Sequence, residues 1–231
     1  MATIGIIAAL DIELAAFIKD FDASPAYDGS LYRGSFAGHD VILALCGVGK
    51  VNAAICTQKL IDLAKPDAVI NSGVAGGLSD KLSVCDLAIA DRLVYHDFYP
   101  LSLLEKYAPH CAYFQADRTL KALAENAASA LSRSEPDFHY EVGCIVSGDR
   151  FVEESAIKER LKAEFGAVCT EMEGAAIAHT AFVNGVPFAV IRAISDNADE
   201  KADMSFEAMA AIAAKRAVII VKNMIGAYKP L

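Results

Sequence analysis

What most constrains the fold is an alternation along the chain. Six short runs rich in Val, Ile and Ala, at residues 3–9, 41–46, 67–72, 86–90, 141–146 and 188–194, each end in or near Gly, Ser or Asp. They carry too few polar positions for a sheet wetted on one face, so they read as strands buried on both sides. Between several of them lie stretches whose apolar residues return every three to four positions: 51–64, 120–131, 153–165, 174–183 and 205–225. This pattern predicts an α/β fold. We expect one domain over residues 1–231, a three-layer sandwich whose central mixed, mostly parallel β-sheet is flanked by helices. The last helix has an N-cap candidate at Ser205, a stop at Gly226 and apolar residues nearly all round, so it should be well buried. Residues 25–38 and 96–116 show the weakest periodicity. The second is rich in aromatics (Phe98, Tyr99, Tyr107, Tyr113, Phe114), and such loops line a site or dock a partner.

Composition excludes several classes of function. A 55% hydrophobic content and a mean hydropathy of +0.34 are high, yet no apolar run approaches the roughly 20 residues that span a bilayer. The excess belongs to a core or a buried oligomer face, not a membrane. Residues 3–10 lack a preceding basic group and run straight into Asp11 and Glu13, which reads as a first strand rather than a signal peptide, and so as a cytoplasmic chain. Six cysteines fall without a C-x-x-C pair or a histidine partner, so neither metal site nor disulfide framework is signalled. With a net charge of -9 and no Lys/Arg cluster, nucleic acid is excluded as a partner. The ligand should be small.

Ligands of α/β folds collect beyond the carboxyl ends of strands, where four polar groupings stand out. Asp11 and Glu13 follow the first run; they suit either a helix start or a general base. Gly47-Val48-Gly49-Lys50 and Gly73-Val74-Ala75-Gly76-Gly77 are glycine-rich without the spacing of a phosphate loop, and serve equally as tight strand-to-helix turns. Ser147-Gly148-Asp149-Arg150-Phe151-Val152 offers an aromatic ring that could stack on a flat heterocycle or pack back on the core. Last come Glu171-Met172-Glu173 and Arg192-Ala193-Ile194-Ser195-Asp196. Two carboxylates two residues apart share a pocket only where the backbone is irregular, and either one, if buried, needs a partner. Asp196 suits a helix cap or turn, or a carboxylic acid held protonated to serve a leaving group. His179, inside an apolar helix, reads as a hydrogen-bonded core residue.

Taken in order and spacing, these segments, with Ile4-Gly5-Ile6-Ile7-Ala8-Ala9, Asn71-Ser72-Gly73 and Tyr95-His96-Asp97, resemble the 5′-methylthioadenosine/S-adenosylhomocysteine nucleosidases of the purine nucleoside phosphorylase superfamily. The resemblance covers nearly the whole chain and implies hydrolysis of the N-glycosidic bond of adenine thionucleosides. It gives Glu13 the role of base for the attacking water, Asp196 that of general acid to adenine N7, and Glu173 the ribose 2′- and 3′-hydroxyls. Met172 would pack under the sugar, Phe151 would stack on the base and the Val152 backbone would read the adenine edge. Ser195 and Arg192 would support Asp196 and Glu173; Leu10, Val48 and Phe206 would line the 5′-substituent and base pockets. The resemblance implies a homodimer in which Phe98, Tyr107 and Pro109 reach the partner's site, and neither cofactor nor metal.

The bottom-up chemistry agrees with these roles. Adenine leaves poorly as an anion, so one acid at N7 and one base on the opposite face suit an inverting hydrolysis. Two departures stand out. Val74 occupies a position where the family often has serine, and residues 97–116 lack the family's usual continuation. Three neighbouring readings remain: a phosphorylase of the same fold, for which the glycine turns lack an arginine clamp; an aminofutalosine hydrolase; and a non-catalytic relative, which would be marked by loss of a carboxylate.

Overall fold

The computed structural model describes residues 1–27, 29–196 and 206–230, with the side chains of 196 and 206–211 excepted. In chain order the elements are β1 (Thr3–Ala8), α1 (Asp11–Asp20), β2 (Ser24–Ala26), β3 (Leu31–Phe36), β4 (His39–Leu45), α2 (Lys50–Ala64), β5 (Ala68–Gly77), β6 (Leu87–Tyr95), α3 (Ser102–Lys106), β7 (Phe114–Gln115), α4 (Arg118–Ser134), β8 (Tyr140–Ser147), α5 (Ser155–Phe165), β9 (Ala167–Glu171), α6 (Gly174–Val183), β10 (Phe188–Asp196) and α7 (Phe206–Ala227).

Helices cover both faces of the sheet because strand side chains alternate. Along β1, Ile4, Ile6 and Ala8 join one apolar cluster with Leu14 and Phe17 of α1, Ala124 and Ala128 of α4, and Val221 and Met224 of α7. Ile7, between them, joins the opposite cluster with Ala53 and Leu60 of α2 and Ile177 and Ala178 of α6. Gly5 also faces α2: a Cβ there would come within 2.7 Å of Leu60. A smaller cluster packs Leu161 and Phe165 of α5 under β8 and β9.

The sheet is mixed rather than mostly parallel. Among the described residues, β1–β4, β1–β5, β5–β10, β6–β8 and β8–β9 pair parallel, while β2–β3, β3–β4, β5–β9, β6–β7 and β6–β10 pair antiparallel. The pairings β5–β10–β6–β8–β9–β5 close a ring, with β1, β4, β3 and β2 extending from β5. Apolar runs announce burial but not direction, and β9, β7 and the β2–β3 hairpin were too short or too polar to register as strands.

A second correction concerns β5. It does not end at Ser72: Gly73-Val74-Ala75-Gly76-Gly77 continues the strand, bonded to β10 on one side and to β9 on the other. α7 runs one residue past Gly226, and its Ser205 cap candidate lies outside the described residues. Ala213, Ala217, Val218, Ile220, Val221, Met224 and Ile225 are buried, but Ile212 and Ile219 are exposed, so burial is broad rather than complete. All six cysteines are free thiols, and Cys144 and Cys169 are buried. Among the described residues no helix is long and apolar enough to cross a membrane.

Candidate active site

Strand register alone brings distant residues together. Gly76 sits opposite Thr170 on one side and Asp196 on the other, while Ser147 sits opposite Glu171. Beyond these ends opens a cavity of about 220 Å³. Leu10, Glu13, Val48, Val74, Phe151, Val152, Met172, Glu173, Arg192 and Ser195 line it, ten of the twelve site residues expected from sequence. The other two are Asp196 and Phe206: the backbone of Asp196 ends β10 and that of Phe206 begins α7, but their side chains lie outside the described residues.

Glu13 satisfies both readings of its position. It is the third residue of α1, and its carboxylate reaches back over the helix start, with Oε2 accepting the backbone N–H groups of Ala9 (2.9 Å) and Leu10 (3.0 Å). Oε1 accepts the N–H of Val74 at 2.9 Å. The group is 5% exposed, and it ties the end of β1 to β5 while lining the cavity. Gly73 makes this approach possible: a Cβ there would collide with Arg192 Nη1 and stand 2.9 Å from Glu13 Oε1.

The turn between β9 and α6 is irregular enough to bring both of its glutamates against one cation. Arg192, 1% exposed, donates from Nη2 to Asn71 Oδ1 (2.6 Å) and to Glu171 Oε2, and lies 3.6 Å from Glu173 Oε2. Glu171 Oε2 also accepts the N–H groups of Glu173 (3.0 Å) and Gly174 (2.7 Å), and Oε1 accepts the Ser147 hydroxyl. Glu173 Oε1 accepts the N–H of Gly49 at 2.9 Å. Burial pushes the Glu173 carboxyl up to about 7, against the pull of Arg192 and the Gly49 N–H. Arg192 is held above its usual value: burial opposes its charge, but Glu171, Glu173 and Glu13 outweigh that.

The aromatic and apolar walls complete the picture. Phe151 is 67% exposed at the mouth, its ring free of the core packing that was the competing reading, and Val152 is buried behind it. Ser195 donates to the Ala75 carbonyl at 3.3 Å. Sequence reasoning met Asn71, Ser147, Glu171 and Arg150 only as members of motifs and gave them no role: the first three are the partners that the buried charges require, and Glu171 and Arg150 also line the cavity. The cost of burying Arg192 unpaired was the signal available for the first three. Gly47 and Gly49 have φ of 77° and 97° and form the tight turn into α2. His179 is hydrogen-bonded as expected, 3.1 Å from the Tyr95 hydroxyl and stacked on Phe114, but it is half-buried and lines an apolar cavity rather than sitting in the core. Among the described residues no group of His, Cys, Asp and Glu is arranged to hold a metal ion.

Comparison with known proteins matches residues 3–226 to the family model described as Phosphorylase superfamily. A 5′-methylthioadenosine/S-adenosylhomocysteine nucleosidase of Actinobacillus succinogenes is 39% identical over 229 residues, covering 96% of this chain and 97% of that protein. Among solved structures, the S-adenosylhomocysteine nucleosidase of Streptococcus pyogenes in complex with 5-methylthiotubericidin superposes with a TM-score of 0.86 at 34% identity, covering 99% of this chain and 98% of that one. The 5′-methylthioadenosine/S-adenosylhomocysteine nucleosidase of Neisseria meningitidis in complex with methylthio-immucillin-A gives 0.85 at 35% identity, covering 99% and 100%.

Proposed function

Because the chain belongs to the 5′-methylthioadenosine/S-adenosylhomocysteine nucleosidase family of the phosphorylase superfamily, we propose that it hydrolyses the N-glycosidic bond of those two nucleosides, releasing adenine and the 5′-thioribose. The observation that carries this reading is the convergence of Glu13 and Glu173, 160 positions apart in sequence, on one cavity beside an exposed aromatic ring.

In the mechanism we propose, Asp196 protonates adenine N7 so that the base departs neutral. Positive charge then develops at the ribose carbon and ring oxygen. Glu13 takes a proton from water attacking the opposite face, giving inversion. Its three backbone N–H bonds fix both oxygens, which supports a base that needs no reorganisation as it acts. Glu173 accepts the ribose 2′- and 3′-hydroxyls, and Met172 packs under the sugar. Phe151 stacks on adenine, a contact worth about 1–3 kcal/mol, while the Val152 backbone reads the base edge. Leu10 and Val48, which Phe206 would join, give the 5′-substituent an apolar pocket that suits a thioether better than a hydroxyl, while Val74 stands at the ribose or water site. Arg192 and Ser195 support the carboxylates.

We further propose that a single domain spanning 1–231 works in the cytoplasm as a homodimer. Val51 (67% exposed), Ile55 (64%) and Phe98 (39%) lie around a second, apolar cavity of about 380 Å³ that also includes Lys50, Tyr95 and His179, and a second copy covering it would bring Phe98, Tyr107 and Pro109 toward the partner's site. The test is direct. Purified protein is incubated with methylthioadenosine, S-adenosylhomocysteine, adenosine and aminofutalosine, and free adenine is measured. No adenine from either thionucleoside refutes the reading, and preferential turnover of aminofutalosine reassigns the substrate.

A further inference from the structure

The amino end of α2 has no cap of its own. Its N-cap is Gly49, which has no side chain, so the first N–H groups of the helix must find partners elsewhere. They find them on two other segments: the Lys50 N–H donates to Asp149 Oδ1 at 2.8 Å, and the Gly49 N–H donates to Glu173. The Lys50 ammonium meanwhile reaches both carboxylate oxygens of Asp97 at 2.6 Å and lies 3.5 Å from Asp149 Oδ2, while Asp97 Oδ2 accepts the Asp149 N–H at 2.9 Å. Three segments, the turn into α2, the end of β6 and the turn after β8, are thus closed into one ring. Space is tight within it: a Cβ on Gly148 would strike the His96 ring, and one on Gly49 would stand 3.2 Å from Asp149.

We propose that Lys50, Asp97 and Asp149 form an ionic latch that positions Glu173, by fixing the Gly49 N–H against its carboxylate. The latch rests on the reading of Glu173 as the ribose-binding group. None of the three charged residues lines the cavity, so each acts through Glu173 and is a positioning residue. Glu173 is faced by Arg192 of β10, Glu171 of β9, Glu13 of α1 and the Cys46 thiol beyond β4; of the contacts that favour its ionised form, the Gly49 N–H is the one the latch controls.

The test uses the full chain and methylthioadenosine across a pH series. Lys50→Met and Asp97→Asn are expected to raise KM by about 10-fold to 100-fold, the scale of a small misplacement of a binding group, with kcat changed less. The acid limb of kcat/KM should move to higher pH, because an N–H that favours the carboxylate is no longer held in place. Lys50→Arg should recover most of the KM, since a guanidinium can also bridge two carboxylates. In a Glu173→Gln background, Lys50→Met should add little. An unchanged KM and limb, or fully additive losses in the double variant, overturns the latch. Should Lys50→Met not fold, Asp149→Asn is read in its place, since Asp149 accepts the Lys50 N–H, and an unchanged KM there overturns the latch equally. A wild type that releases no adenine refutes the function of the site and the latch with it. An active wild type with unaffected variants refutes the latch alone.

Discussion

Replacing Glu13 with glutamine separates its two duties, as a brace and as a base. Its carboxylate accepts three backbone N–H groups, two on Oε2 and one on Oε1. A glutamine keeps one acceptor oxygen and presents an NH2 in place of the other. The less costly orientation keeps the oxygen toward Ala9 and Leu10 and sets the NH2 against the Val74 N–H, so one buried donor loses its partner, at about 1–3 kcal/mol. Against a typical stability of about 5–15 kcal/mol the fold survives. Catalysis should not. Loss of a general base costs about 10²–10⁴ in rate, which is about 2.7–5.4 kcal/mol of barrier at 1.36 kcal/mol per tenfold. The assay pairs urea unfolding with single-turnover release of adenine. A lowered unfolding midpoint with turnover within tenfold of wild type would show that Glu13 only ties β1 to β5, and would refute its role as base.

Three further outcomes are expected. With Glu173 titrating at about 7, kcat/KM should fall as pH drops below that value, since the protonated carboxyl no longer accepts two hydroxyls; the limb should vanish in Glu173→Gln, and its persistence assigns it elsewhere. Gly73→Ala places a methyl between Arg192 and Glu13; it should destabilise by about 1–3 kcal/mol and slow turnover by on the order of 100-fold, and wild-type kinetics would mean that both side chains yield without consequence. Asp196→Asn should fold normally, by circular dichroism, and lose nearly all release of adenine because an amide cannot protonate N7; wild-type turnover would remove Asp196 from the reaction.

Much of the site was legible because chemistry in this fold sits where buried strands stop. Glu13, Phe151 and Arg192 each follow or close an apolar run, Glu173 stood out through its motif with Glu171, and all four line the same cavity. The direction of the strands was not legible. Alanine, valine and isoleucine make β9 and β6 equally apolar whether the neighbour runs parallel or antiparallel, and β9 spans only five residues. The five residues from Gly73 to Gly77 mislead for a related reason. Gly73, which the local pattern reads as a turn residue, serves here to admit Arg192 and Glu13 against a continuing strand, a contact between distant segments that no local pattern encodes. Lys50, Asp97 and Asp149 were visible only as motif members; their union needs the third dimension.

Water, rather than phosphate, suits the charges that surround this cavity. Glu13, Glu171 and Glu173 stand against Arg192, whose Nη2 is already shared by Asn71 and Glu171. Arg150, at the mouth, is engaged by Glu154. A phosphate oxygen about 4 Å from one ionised carboxylate would meet a repulsion of about 4 kcal/mol per pair of unit charges at an effective dielectric of about 20. The same field favours the positive charge that grows on the ribose as adenine leaves, and it leaves a neutral water undisturbed. Added phosphate should therefore neither raise the rate of adenine release nor divert the sugar into ribose 1-phosphate. A product mixture in which the 1-phosphate ester dominates would mean that the anionic wall is neutralised during turnover, and would place the chain with the phosphorylases of its superfamily rather than the hydrolases.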